Sequence, residues 1–224
     1  MRRLLPLALL ALALLAGGML AARAANPDAL WHIVHDRCVP NQTEHANPAP
    51  CAEVNLAGGT VLLKDLEGVA QFLLMPTAKI TGIEDPAILA PDAPNYFAAA
   101  WAARGQVSAL LPHPLPPDAT SLAINAETGR TQNQLHIHVD CLRADIRATL
   151  ATQAIGDTWA PLQGGLAGHP YQAMRLPGDT LTANPFHLLA DHLLGAAADM
   201  GQYTLVLVGA TNGFILLADR ANLP

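Results

Sequence analysis

At 224 residues, with 51% hydrophobic and 13% charged side chains, the chain has material for one folded domain of ordinary size and does not belong to the disordered class. Formal net charge is −6, and it becomes −9 once Arg2, Arg3 and Arg23 are set aside, leaving 9 basic against 18 acidic side chains. So acidic a body lacks the basic stripe of a nucleic-acid binder, and any anionic ligand must be met by a local cluster of donors.

Residues 1–25 read as a targeting segment. Arg2-Arg3 precede an apolar run from Leu4 to Ala22, 19 residues weakened only by Gly17-Gly18, and Ala22-Arg23-Ala24 has the small-x-small form of a cleavage site. Such a run is also just long enough to cross ~30 Å of hydrocarbon, so a cleaved signal and a retained anchor are both open. With an anchor, Arg2-Arg3 stay cytoplasmic. Either way residues 26–224, expected as one domain, are exported to a compartment where disulfides persist. Cys38 and Cys51 bracket a polar stretch rich in Pro and Asn with no core of its own. A disulfide closing that loop is the preferred pairing, with ~3 kcal/mol of stabilisation in the chain-entropy picture.

Residues 28–36 suit a short amphipathic helix with an acidic start. Residues 61–64 and 69–75 read as strands joined through Asp65-Leu66-Glu67-Gly68, a hairpin ended by Pro76. A connection bearing Pro, Asp and Gly runs to Pro94. Phe97, Trp101, Val107 and Leu111 then recur at roughly helical spacing, predicting a core-facing helix over 95–111. Residues 121–125 form a strand that feeds the loop 125–131, and 135–141 is its partner. A helix begins at 145–150, and Asn184-Pro185 caps and opens another over 186–200. Gly164-Gly165 with Gly168-His169 marks a turn-rich loop, its alternative a lid or lipid-facing element. Residues 203–208 and 214–219 close the chain as a hairpin about Asn212-Gly213. This order of elements is that of an α+β domain.

The chemistry concentrates in Gln132-Asn133-Gln134-Leu135-His136-Ile137-His138-Val139-Asp140-Cys141. Polar and apolar residues alternate with the period of a half-buried strand, so Gln134, His136 and His138 line one face and Leu135, Ile137 and Val139 the other. Cys141 shares the apolar parity and is expected on the buried face as a small hydrophobe. Two imidazoles and an amide on one rigid strand are an awkward burial, but a good platform for chemistry on a phosphate or a metal. Upstream, Gly129 provides a tight turn whose N–H groups could form an anion nest, and Arg130 provides a fixed positive charge. A His-x-His strand also fits a metal pair or a satisfied structural pair. Zinc needs a third ligand, and His113, His169 and His187 show no matching motif, so no metal or other cofactor is expected. His32 and His35 are read as surface residues, Lys79 as a solvated strand-end charge, and His187 and His192 as lying on different helix faces.

Residues 134–139 resemble the histidine-triad signature, in which His and apolar residues alternate three times on one strand. The stretch 71–80, ending near Pro76 and Lys79, is similar to that superfamily's preceding strand. More closely, the chain resembles the exported CDP-diacylglycerol pyrophosphatase branch. Cys38-Val39-Pro40-Asn41-Gln42, Pro50-Cys51-Ala52-Glu53-Val54, the run from Ser121 through Asn133, and Trp159-Ala160-Pro161-Leu162 with 164–169 carry that likeness.

The resemblance implies an antiparallel sheet with packed helices that hydrolyses CDP-diacylglycerol to CMP and phosphatidate. It places the nucleophile at His136 and a phosphate donor at His138, with Asn125, Arg130, Thr131, Gln132 and Gln134 around the phosphates. It also implies a membrane surface as partner. The location would be a bacterial inner membrane with the catalytic domain in the periplasm, or the periplasm itself if the signal is cleaved. Triad proteins often pair, and a homodimer is left open. The departure is Gln134 in place of the first histidine, because an amide can donate a hydrogen bond but cannot carry a proton as imidazole does. Two alternatives accompany that reading: a general exported nucleotide pyrophosphatase, and a nucleotide- or lipid-binding protein whose triad has decayed.

Overall fold

The computed structural model describes residues 26–221, so the targeting segment expected over 1–25 lies outside the described residues. Nine strands form one antiparallel sheet. Across it run β1 (Glu53–Asn55), β2 (Thr60–Lys64), β3 (Phe72–Pro76), β5 (Ile137–Cys141), β4 (Thr120–Ile124), β8 (Tyr203–Ala210), β9 (Gly213–Arg220), β7 (Gln172–Pro177) and β6 (Ala160–Pro161). Both edge strands are short, and β6 ends in a proline that has no ladder donor, so neither edge invites a further strand. The histidine strand β5 lies well inside, bonded to β3 on one side and β4 on the other.

Because side chains alternate across a sheet, each strand contributes to two different environments. On one face Phe72, Leu74, Leu122, Ile124, Ile137, Val139, Leu205, Leu207, Phe214 and Leu216 are buried in the main core. That face is covered by α3 (Tyr96–Ala109) and α5 (Pro185–His192). Edge-to-face contacts between Phe97 and Phe186, and between Trp101 and Phe214, bring ring centroids to 5.2 and 5.0 Å. On the other face, one row across the sheet reads Leu73, His138, Ala123, Val206, Leu217 and Ala173. Two small clusters cover its flanks. Val61, Leu73 and Met75 pack with Val34, Cys38 and Cys51 on the β3 side. Val208, Ile215, Leu217 and Ala173 pack with Leu150, Leu162 and Leu166 on the other. The histidines stand between these clusters.

The expected Cys38–Cys51 disulfide is formed and ties the N-terminal helical segment to the segment before β1. That segment is longer than 28–36. α1 (Ala29–Ile33) continues through a π-helical turn (Val34–Cys38) into α2 (Val39–His45), carrying Pro40 inside it. A proline ring crowds the carbonyl four residues back, and the wider π turn immediately before gives it room. α5 is half the expected length, stopping at His192 before Gly195 enters the left-handed region at φ +82°. Two short 3-10 turns, Ala196–Ala198 and Met200–Gln202, fill the rest. Cys141 is exposed, contrary to the parity argument. It sits at the end of β5 opposite the first residue of β4, and parity fixes which face a residue points to without ensuring that anything covers it there.

Candidate active site

The start of the histidine strand is held by the segment leaving β3. Leu135 N–H donates to the Ile80 carbonyl at 2.6 Å, and the Gln134 amide nitrogen donates to the carbonyls of Pro76 and Ala78, both at 3.0 Å. Two carbonyl acceptors fix the amide's orientation: its nitrogen faces them, and its oxygen is left buried with no partner among the described residues. Gln134 is fully buried. It therefore anchors the strand and presents an acceptor, not a donor, to the cleft it shares with His136.

His136 is buried, and its Nδ1 lies 2.7 Å from the Gln134 carbonyl oxygen. A carbonyl can only accept, so Nδ1 carries the proton and Nε2 keeps its lone pair. Burial pushes the His136 pKa below the usual imidazole value; the Gln134 carbonyl and the charge of Asp65 oppose that shift in part. His138 stacks edge-on beside it, ring centroids 5.1 Å apart. Burial, reinforced by the charge of its neighbour His136, lowers its pKa to about 4. Its Nε2 is buried without a partner among the described residues. At neutral pH both rings are uncharged.

Arg130 and Asn125 line the same small cleft as His136 and Gln134, beside Thr81 and Gly82. Arg130 is clamped by Glu84 through two hydrogen bonds of 2.6 and 2.5 Å, with its side chain only 6% exposed. Gly82 makes that clamp possible: a Cβ there would lie 2.4 Å from the Arg130 Nη1 and 2.7 Å from a Glu84 oxygen. The guanidinium thus lines the site partly neutralised, with its Nε unpaired among the described residues.

Other loop residues are placed elsewhere. Gln132 accepts from Leu30 N–H and donates to the Asn26 carbonyl, pinning the N-terminal helix, and Thr131 is exposed. The Gly129 N–H is taken by the Ala126 carbonyl at 2.9 Å. Lys79 pairs with Asp28 at 3.2 Å and lies 5.9 Å from the Trp31 ring centroid. His32 and His35 both bond Asp36 on the exposed face of their helix. Among the described residues, no three His, Cys, Asp or Glu side chains converge where a metal ion could be held.

Two residues of the site escaped sequence reasoning. Glu84 sits in a connection without periodicity or motif, so nothing marked it as the arginine's partner. Asp65 carries only the signal of a hairpin residue. It is held by the Gln71 amide on the histidine face, near enough for its charge to act on both imidazoles. The parity of β2 and β3 could have revealed it.

A family profile described as CDP-diacylglycerol pyrophosphatase matches residues 25–224. A Yersinia pestis protein described as CDP-diacylglycerol pyrophosphatase is 45% identical over 222 residues, covering 97% of this chain and 86% of the relative.

Proposed function

The chain belongs to the CDP-diacylglycerol pyrophosphatase family, and from that premise we infer that its histidine pair performs the hydrolysis through a covalent nucleotidyl intermediate on His136. The activity is hydrolysis of the pyrophosphate bond of CDP-diacylglycerol. The sheet, with its histidine strand inside, is read as the histidine-triad arrangement. One observation carries the mechanism: the Nδ1–H of His136 is committed to the Gln134 carbonyl, so an uncharged ring presents its Nε2 lone pair.

That lone pair attacks the phosphorus bearing cytidine. The N–P bond forms as the bond to the bridging oxygen breaks, and phosphatidate leaves with that oxygen. The Gln134 carbonyl stabilises the charge that develops on the ring. Water then attacks the same phosphorus, the N–P bond breaks, the ring keeps its Nδ1 proton, and CMP and a proton are released. His138 is placed to donate to the non-bridging oxygens, with Arg130 and Asn125 at the side of the cleft.

Gln134 fits this leaving group. A phosphate monoester has a second pKa of about 6, so phosphatidate can depart at neutral pH without receiving a proton. An acidic residue at the first triad position is then dispensable, and a buried amide that fastens β3 to β5 takes its place.

The site is read as acting outside the cytoplasm at an inner-membrane surface. The Cys38–Cys51 bond, which persists in oxidising compartments, supports this. Fractionation of cells with a C-terminal reporter tests it: reporter activity confined to the cytoplasm overturns the location. For the mechanism, the test is intact-mass measurement after a rapid acid-free quench with CDP-diacylglycerol, alongside His136→Ala. A transient CMP-sized adduct on the parent and none on the variant is expected. Undiminished product formation by His136→Ala overturns the assignment.

A further inference from the structure

The substrate has two unlike halves, and the residues described so far deal only with its phosphates. A cavity of about 720 Å³ lies between α4 (Ala144–Ala151), the turn before β4 and the ends of β8 and β9. This is the size of a small-ligand pocket, commonly about 300–1,000 Å³. Leu142, Leu150, Val208 and Ile215 supply its apolar wall beside the polar Asp118, Gln153 and Thr211, and the helix lines it with Ala144 and Ala148, which fill little space.

We propose that this cavity receives an acyl chain of the diacylglycerol moiety, a reading that rests on the family's substrate. Continuity with the histidines is the first argument. Val208 and Ile215 belong to the same sheet face as His136 and His138; Val208 pairs with Ser121, two residues before the Ala123 that stands opposite His138. Two strand spacings across and one residue pair along put the cavity wall about 12 Å from His138. Of the floor between them, Ala123 and Val206 are apolar and half-buried, while Ser121 and Asp140 border it on the same face. On the other side of His138 the same face is closed by the helices packed over Leu73. A chain leaving a phosphorus at His136 therefore has an apolar path in one direction.

Charge is the second argument. In a chain this acidic, the cavity mouth carries Arg147 and Arg175. Arg147 is paired with Asp118, whereas Arg175 donates to the Thr211 carbonyl and has no carboxylate partner among the described residues. A cation at the rim of an apolar slot suits entry from an anionic lipid surface.

The test fills the cavity and follows the chain. Ala148 is exposed, so Ala148→Trp should fold. The expected result is a loss in kcat/KM of at least about tenfold on dioleoyl CDP-diacylglycerol in mixed micelles, the worth of roughly two buried methylenes, with CDP-glycerol hydrolysis unchanged. Equal losses on both substrates, or none on either, overturn the proposal. A second measurement does not depend on turnover. CDP-diacylglycerol bearing a diazirine near one acyl terminus is photocrosslinked to the full-length His136→Ala chain, and adducts are expected within 118–119, 142–153 or 208–215, or at Arg175. Adducts elsewhere overturn the proposal. Failure of the parent to hydrolyse either substrate would overturn the assigned activity, while the crosslink pattern still decides the cavity.

Discussion

Ile137 and His136 are neighbours in sequence, yet they face opposite demands. Ile137 is fully buried against the layer of α3 and α5, among aliphatic and aromatic side chains that need no partners. His136 turns to the opposite face, where the Gln134 amide oxygen and the His138 Nε2 flank it along the strand without partners among the described residues; the other two such buried atoms are the Arg130 Nε and the Asp219 Oδ1. Buried polar atoms without partners are destabilising, typically by about 1–3 kcal/mol each, so such a pair is tolerated where a ligand completes it. One face holds the protein together and the other leaves bonds unmade for the substrate.

The sharpest way to break this comparison is to truncate both neighbours. His136→Ala should reduce kcat by roughly 10⁴-fold or more, as expected for loss of a nucleophile, with little change in stability. Ile137→Ala should cost about 2–5 kcal/mol in urea unfolding while sparing turnover in the folded fraction. If the two losses were exchanged, the division between the faces would be wrong.

Arg130 tests where the boundary lies. Its pairing with Glu84 is nearly sealed from water, so Arg130→Ala leaves an uncompensated carboxylate and should cost about 3–5 kcal/mol. Because Glu84 retains 27% exposure, the lower end is expected. An Arg130→Ala, Glu84→Ala double variant should recover part of the loss in a double-mutant cycle. Full additivity would show that the arginine's stabilising partner is something other than Glu84.

Sequence patterning disclosed the elements whose cause is local. Alternation located β5, the cap Asn184 marked the start of α5, and Asn95 accepts from Ala98 N–H at the start of α3. It failed where the cause is distant. The strand β7 has mixed polarity because Arg175 and Gln172 lie in it, and pairing with β9 and β6 makes it a strand. Cys141 has core parity and no cover. The histidine pair was legible in the site, but Gln132 and Arg130 are committed to Leu30 and Glu84, partners 102 and 46 residues away that no local pattern announces.

The clusters flanking the histidines should be separable from the main core. Replacing Cys38 and Cys51 together by Ser should lower stability by ~3 kcal/mol, the chain-entropy value for a loop of this length. The main core lies on the opposite face, so amide exchange should rise first in residues 29–45 and not in α3. Uniform loss of protection would show that the two faces unfold as one unit.

The smallest effect concerns protons. His138 has a folded pKa of about 4 against an ordinary value of 6.5, chiefly through burial, so the unfolded chain takes up the proton first as pH falls. Its stabilising contribution is therefore complete above about pH 6.5, declines between there and about pH 4, and is exhausted below, amounting to about 3 kcal/mol at most. Carboxylates titrate in the lower part of that window, so the parent curve alone cannot isolate the imidazole. The difference between parent and His138→Gln can: urea midpoints should converge as pH falls from 7 to 4, because only the parent carries the burdened ring. The acid limb of kcat/KM should likewise lie below pH 6.5, since burial holds His136 uncharged and nucleophilic past the point where a free imidazole is half protonated. A constant difference in midpoints, together with an acid limb at 6.5, would mean that water reaches both rings and that the histidine face is not the dry site its geometry describes.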